Sequence, residues 1–428
     1  IAYQFNPLSN AGVFSNDASL LVPTPALTTD PTNQAGAGYL VMSWPQTIAT
    51  TTDNRTNFGL DLRAFLTIVG TREKTNVSVK LSTDIIGDGA GLVPAKKKGE
   101  TLTFKLEPYQ VLNLETGGFM ADFTGTRIDT DKPVVVFSGS EASDVPTFAD
   151  LTTRRCCADH LEHQLFPRTT LGTTFIGLTT PSRTRALKDA GAVISPKTET
   201  EYFRILTSGE STAVSTNLSP PLKQFTMGSG SVLTIKVDRD FTIQTTEPVV
   251  LGQFVAGQDE TGIPSNLPGG DPSYILLPPV EQFRKDYLFL TPDKYAYDFI
   301  LVAAPKGATV SLDGRKLMDK SWVKRPGTTE ACDEKRGRRL CCTLEEVGAV
   351  RPAGATSDTV YDAYKCQLSF PKVDNDKIPP DNLQPGIQND GVHRLQSDRK
   401  VGLVVYGFDA FVSYGYPGGT DLALINLK

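Results

Sequence analysis

Short apolar runs bounded by charged, Gly or Pro turns alternate along the whole chain, and apolar spacing of the helical kind is hard to find. Such runs predict β-strands. Three of them are alike: Thr130-Asp-Lys-Pro-Val-Val-Val136, Thr246-Glu-Pro-Val-Val-Leu251 and Ser397-Asp-Arg-Lys-Val-Gly-Leu-Val-Val405. Each puts a hydroxyl residue and charges before a β-branched run, and each run leads to a glycine, Gly139, Gly252 or Gly407. A charged turn feeding a short apolar run reads as the start of a buried strand.

A second element precedes each of these. Phe65-Leu-Thr-Ile-Val69, Phe203-Arg-Ile-Leu206 and Phe299-Ile-Leu-Val302 are each followed by a second short run containing Val77, Val214 or Val310, 11 or 12 residues after the phenylalanine. Two strands joined by a short polar turn predict a β-hairpin. A third element opens each copy. Leu165-Phe-Pro167 leads to Phe175, Leu277-Pro-Pro279 leads to Tyr287, and Tyr39-Leu-Val-Met-Ser-Trp-Pro45 is a weaker first copy. Prolines at strand ends stop the ladder. Recurrence of the three elements in one order predicts an all-β chain of three related β-sandwich-like repeats. The expected division is an N-terminal arm at 1–30, then repeats at 31–150, 151–260 and 261–428, the last with a cysteine-bearing insert at 313–392.

Composition narrows the class. The 37 Gly and 29 Pro suit a fold with many turns, and a net charge of −5 offers no field for nucleic acid or an anionic membrane. No apolar stretch reaches the roughly 18 residues of a membrane span. The chain begins at Ile1 rather than Met, as a chain with a cleaved secretory leader does.

The six cysteines are Cys156, Cys157, Cys332, Cys341, Cys342 and Cys366. An even number with vicinal pairs predicts an oxidising compartment and a disulfide framework. Adjacent cysteines rarely bond each other. Full oxidation without a vicinal bond therefore ties Cys156 and Cys157 to the late four, closing long loops worth about 5 kcal/mol each. The repeats are then expected to be compactly arranged, with the first and third close in space.

Candidate chemistry is sparse. Cys156-Cys-Ala-Asp-His-Leu-Glu-His163 gathers two thiols and two imidazoles, but the spacing fits no common zinc finger, and a disulfide corner is the preferred reading. The histidines are His160, His163 and His393, and no nucleophile elbow accompanies them. Asp374-Asn-Asp376, Asp381-Asn382 and Asn389-Asp390 offer oxygens for calcium, yet lack the glycine and distal glutamate of an EF-hand and read as solvated turns. Gly87-Asp-Gly-Ala-Gly91 lacks the Lys-Ser/Thr ending of a phosphate loop. No catalytic residue, metal or cofactor is expected. Sequons at Asn54, Asn76 and Asn217 require exposure if they are used. The richest aromatic segment is Tyr406-Gly-Phe-Asp-Ala-Phe-Val-Ser-Tyr-Gly-Tyr-Pro-Gly-Gly419. Alternation puts Tyr406, Phe408 and Phe411 in the core; for Tyr414 and Tyr416 core or turn packing is the preferred reading, and a possible ligand or partner surface is the alternative.

His160-Leu-Glu-His-Gln-Leu-Phe-Pro167, Asp271-Pro-Ser-Tyr-Ile-Leu-Leu-Pro-Pro-Val-Glu-Gln-Phe283 and the closing Tyr406–Gly419 block resemble the N-terminal domain of IgGFc-binding proteins, over roughly 36–420. The paired cysteines and the long insert depart from the animal pattern and look like bacterial members. The resemblance implies a secreted or cell-surface module and brings no catalytic residues. The expected function is adhesion, through a glycan, glycoprotein or partner surface. The alternative is a structural subunit of an extracellular filament, sheath or envelope assembly, its arm and edge strands pairing with neighbours.

Overall fold

The computed structural model describes residues 2–5, 17–29, 35–48, 61–148, 153, 157–293, 295–334 and 339–425. Cys156 and the Asn54 sequon lie outside them. The chain is mostly β, with a short helix at Arg183–Asp189.

The phenylalanine and valine runs form the strands Ala64–Gly70 and Thr75–Lys80, Glu201–Thr207 and Ser211–Thr216, and Tyr297–Pro305 and Val310–Leu312. The charged turns run into long strands. In the second and third segments these are unbroken, Phe241–Val255 and Gly391–Asp409. In the first, the strand divides into Arg127–Thr130 and Val134–Ser143 around Pro133, which has no N–H for the ladder.

The same pairings occur in each segment. The valine strand lies against the start of the long strand, as Val77↔Thr130, Val214↔Thr245 and Val310↔Ser397. The phenylalanine strand lies against its second half, as Ile68↔Val136, Ile205↔Leu251 and Ile300↔Val405. The long strand thus passes from one sheet to the other, a corner of sandwich type.

A closing strand pairs with each second half: Asp159–Gln164, Ser273–Leu277 and Val412–Pro417. Residues 159–164 complete the first segment, and 273–277 complete the second. The glycine ending each apolar run lies where the closing strand crosses. A Cβ on Gly139 would stand 1.7 Å from the Leu161 carbonyl oxygen, and one on Gly407 2.3 Å from the Tyr414 ring.

Alternation explains how the segments stack. In the second segment Tyr202, Leu206, Val250 and Phe254 face a core shared with Trp44, Leu66 and Ile68 of the first. Phe203, Ile205, Leu251 and Ile275 face the other way, into a core shared with Phe299, Leu301 and Phe408 of the third. Ile300, Val302 and Val405 face a third core beyond that. Period-two alternation thus loads both faces of the middle sheet, and the second segment stands between the other two.

The described residues of the arm pack against the rest of the chain. Ala2–Phe5 pairs with Ala18–Leu21, and the Tyr3 hydroxyl donates to the carbonyls of Leu288, at 2.7 Å, and Gly418, at 2.6 Å. The insert adds strands to the third sheet, where Thr359–Gln367 pairs with Tyr297–Pro305 and then with Leu340–Val350.

The cysteine expectation needs correcting. Cys332 bonds Cys341, and Cys342 bonds Cys366, so the late four are spent inside the insert. Cys157 is also disulfide-bonded. The reason is strand geometry. Cys341 and Cys342 are neighbours on one strand, so their side chains leave opposite faces. Each faces a cysteine on a flanking strand, with Cα separations of 4.1 Å and 4.0 Å. Shared cores, not long-range cross-links, make the arrangement compact.

Candidate functional site

Tyr414 and Tyr416 do not form a ligand surface. Both are 0% exposed. The Tyr414 hydroxyl donates to Asp298 at 2.6 Å, and the Tyr416 hydroxyl bonds the Leu290 carbonyl. The arm covers them, with the Tyr3 ring 4.7 Å from Tyr416 and the Phe5 ring 6.0 Å from Tyr414. All six residues of the strand Val412–Pro417 are buried, which agrees with core packing of the two tyrosines and leaves the surface alternative without an exposed ring.

The histidines lie in separate networks. His160 stacks on Phe65 at 5.7 Å and lies 3.6 Å from Glu162. His163 is buried, and burial pushes it down to about 4, so it is neutral at pH 7. His393 is held by Asp313 at 2.8 Å and by the Asn389 carbonyl at 2.7 Å. Of the oxygens considered for calcium, Asp374 Oδ1 accepts from the Asp376 N–H and Asn375 Oδ1 from the Val193 N–H, while the Oδ1 atoms of Asn382, Asn389 and Asp390 are buried and meet no donor among the described residues. Among the described residues, Glu330, Cys332 and Cys341 are the group close enough to share an ion, but their two sulfurs are bonded to each other. Asn76 is exposed. Asn217 uses its amide nitrogen on the Val347 carbonyl at 2.6 Å, which a glycan there would break.

A cleft of about 360 Å³ lies where the helix Arg183–Asp189 and its flanking loops meet the insert's sheet. The helix starts at Ser182, whose side chain accepts from the Arg185 N–H at its N-terminus. The loop after the helix returns Glu199, whose Oε1 takes hydrogen bonds from the Ser182 hydroxyl and the Thr184 N–H, each at 2.8 Å. Glu201 is buried below. It accepts from the Thr180 N–H at 2.7 Å and from Gln253 at 2.6 Å, and burial raises its carboxyl above the usual range.

The facing wall comes from the third segment. Lys365 crosses to Asp240 at 2.7 Å and to the Thr179 hydroxyl at 2.9 Å, and Cys341 and Thr343 complete it. Arg325 clamps the rim, 2.8 Å from Asp189 and 2.6 Å from Glu330. The walls are thus joined by partly buried ion pairs and a disulfide, and they present hydroxyls, amides and charges of both signs. Such a lining offers hydrogen-bond donors and acceptors to a polar ligand. No histidine or cysteine thiolate stands among the cleft residues. Sequence reading missed this site because Glu201 and Lys365 lie on strands distant in sequence and Asp240 in a turn between two others, and none carries a motif.

A family model described as IgGFc binding protein matches residues 17–407. No curated protein and no solved structure matches the chain.

Proposed function

This chain belongs to the IgGFc-binding protein family, and from that membership we propose that it is an extracellular adhesion module, secreted or held at a cell surface, that recognises a glycan, a glycoprotein or a partner surface. The observation that carries the reading is the cleft between the helix and the insert: rigid, polar and walled by two segments. Rigid walls with hydrogen-bonding groups of both kinds lower the ordering cost of binding a polar partner. Disulfides within the insert suit an oxidising compartment. The module binds and does not catalyse. The family description speaks of IgG Fc, and no residue of this chain assigns that ligand to it, so Fc enters the test as one probe among several.

The test is an array of glycans, mucin-type glycoproteins and Fc, run beside size-exclusion chromatography. A monomer that binds an arrayed probe, and loses at least tenfold in affinity when the cleft is blocked by Thr198→Trp with Glu345→Lys, supports the reading. A chain that ignores every probe and elutes as a large assembly overturns it in favour of the structural subunit.

A further inference from the structure

A second cavity, of about 560 Å³, lies where the second segment, the insert and residues 421–425 meet, and it shares no lining residue with the cleft. One wall is the turn Val280–Gln282, which follows Pro279. Gln282 is buried in that turn and ties residues 421–425 against it: its Nε2 donates to the Ala423 carbonyl at 2.8 Å, and its Oε1 accepts from the Ala423 N–H at 2.8 Å. Ile425 is thereby brought to the cavity. Leu171, Pro248, Val280 and Pro352 extend an apolar lining, and Tyr361 adds a ring.

The polar groups at this cavity are few. Glu281 is held by Thr173, whose N–H and hydroxyl donate to Oε1 at 3.3 Å and 3.1 Å. Its Oε2 is buried and meets no donor among the described residues. A Cβ on Gly172 would stand 2.7 Å from Oε2, so the glycine lets the carboxylate lie against the strand Gly172–Gly177. Lys400 is the positively charged residue of the lining, and its ammonium is drawn off to Asp421 at 2.9 Å. Burial pushes the Tyr361 hydroxyl up to about 12, so the ring adds no second charge. A buried acceptor without a donor is costly, and a donor that reaches it recovers the cost. Apolar walls with one unmatched carboxylate select a cation carried on a hydrocarbon body. With Oε1 taken by Thr173, one oxygen is left. A guanidinium fork needs two, and a quaternary ammonium has no N–H to give, whereas a primary ammonium is a compact charge with donors.

We propose that this cavity binds a primary alkylammonium group, of the kind carried by a lysine side chain or a free aliphatic amine, with the nitrogen at Glu281 and the alkyl chain along Leu171, Val280 and Ile425. It is a second binding site, and it stands whether or not the cleft takes a ligand.

The test is calorimetric titration of the full chain at neutral pH with n-pentylamine, set beside n-pentanol, pentyltrimethylammonium, butylguanidinium and Nα-acetyl-lysine methylamide. Pentylamine should saturate a single site and bind about tenfold tighter than pentanol, the gain expected of one charge-assisted hydrogen bond. The quaternary and guanidinium probes should bind more weakly than pentylamine. Glu281→Gln keeps an acceptor for Thr173 and should abolish the advantage over pentanol, while the cleft-blocking pair Thr198→Trp with Glu345→Lys should leave it intact. A lysine derivative that matches pentylamine assigns the site to lysine side chains, and one that falls below it assigns the site to free amines. Pentanol binding as well as pentylamine, full amine affinity in Glu281→Gln, or loss of binding in the cleft-blocked chain would overturn the proposal. If Glu281→Gln does not fold, methyl NMR of the wild type decides: bound pentylamine should show nuclear Overhauser contacts to the Leu171 and Val280 methyls, and their absence sinks the site.

Discussion

Replacing Arg204 by alanine removes a side chain that bonds the first two segments through several hydrogen bonds at once. Arg204 lies on the strand Glu201–Thr207 and is 9% exposed. Its Nη1 donates to Asp122 at 2.7 Å, to the Ser43 carbonyl at 2.5 Å and to Thr124 at 2.9 Å, while its Nε reaches Thr234 at 3.1 Å. The guanidinium lies 5.0 Å over the Trp44 ring. Truncation leaves the Asp122 carboxylate, which is 15% exposed, without its cation. Breaking a buried pair in this way costs about 3–5 kcal/mol, mostly from the stranded charge. Arg204→Lys keeps the charge but cannot serve several acceptors at fixed angles, so it should recover less than half of the loss. The assay is urea unfolding followed by Trp44 fluorescence in a Trp322→Phe background, with a double-mutant cycle against Asp122→Asn. A cost below about 1 kcal/mol, with coupling near zero, refutes the argument that this pair docks the segments.

Two further predictions follow from the third segment. The Cys342–Cys366 bond spans 24 residues and the Cys332–Cys341 bond spans 9; by chain entropy their removal costs about 3.4 and about 2.6 kcal/mol, measured on paired Cys→Ser variants, and non-reducing peptide maps should recover these two links. Burial pushes Asp298 up to about 8 against the donors Tyr414 and Ser369. The native state therefore holds an extra proton between about pH 4 and pH 8, and stability falls as pH rises through that window. Asp298→Asn should flatten this part of the profile in a thermal-unfolding series, and an unchanged slope would count against the buried acid.

The parts of the fold that could be read from the sequence are those set by local chemistry. Charged turns before β-branched runs gave the long strands, and the phenylalanine-to-valine spacing gave the hairpins, because turn geometry and side-chain alternation act over a few residues. Cysteine pairing could not be read this way. It depends on which strands flank Leu340–Val350, and that is decided by a sheet whose members lie up to about a hundred residues apart. Tyr414 and Tyr416 were left with two readings for the same reason: alternation tells which residues share a face, and only the covering arm decides whether that face is wet.

Two buried aspartates make the limit sharper. Asp17-Ala-Ser and Asp271-Pro-Ser occupy like positions before their strands, so a signal was present, but an acid before a strand ordinarily reads as a solvated turn. Its meaning changes only when other strands converge on it, as where Asp17 accepts from the Glu162 N–H at 2.9 Å and the Tyr274 N–H at 3.4 Å, on the first and second closing strands. The same holds for Arg204. Apolar area explains why the segments come together, since a loaded sheet face must be covered, but it is tolerant of rotation and sliding. Buried charges are not, because each is costly unless its partners stand at the right distance and angle. A stack joined by apolar cores and fixed by Asp17 and Arg204 should therefore lose its defined arrangement before it loses its sheets. In Arg204→Ala, amide protection should fall first along the junction, at Glu162 and Tyr274, while the phenylalanine strands stay protected; simultaneous loss at both places would mean that the segments are one cooperative unit and that the charges add stability without setting position.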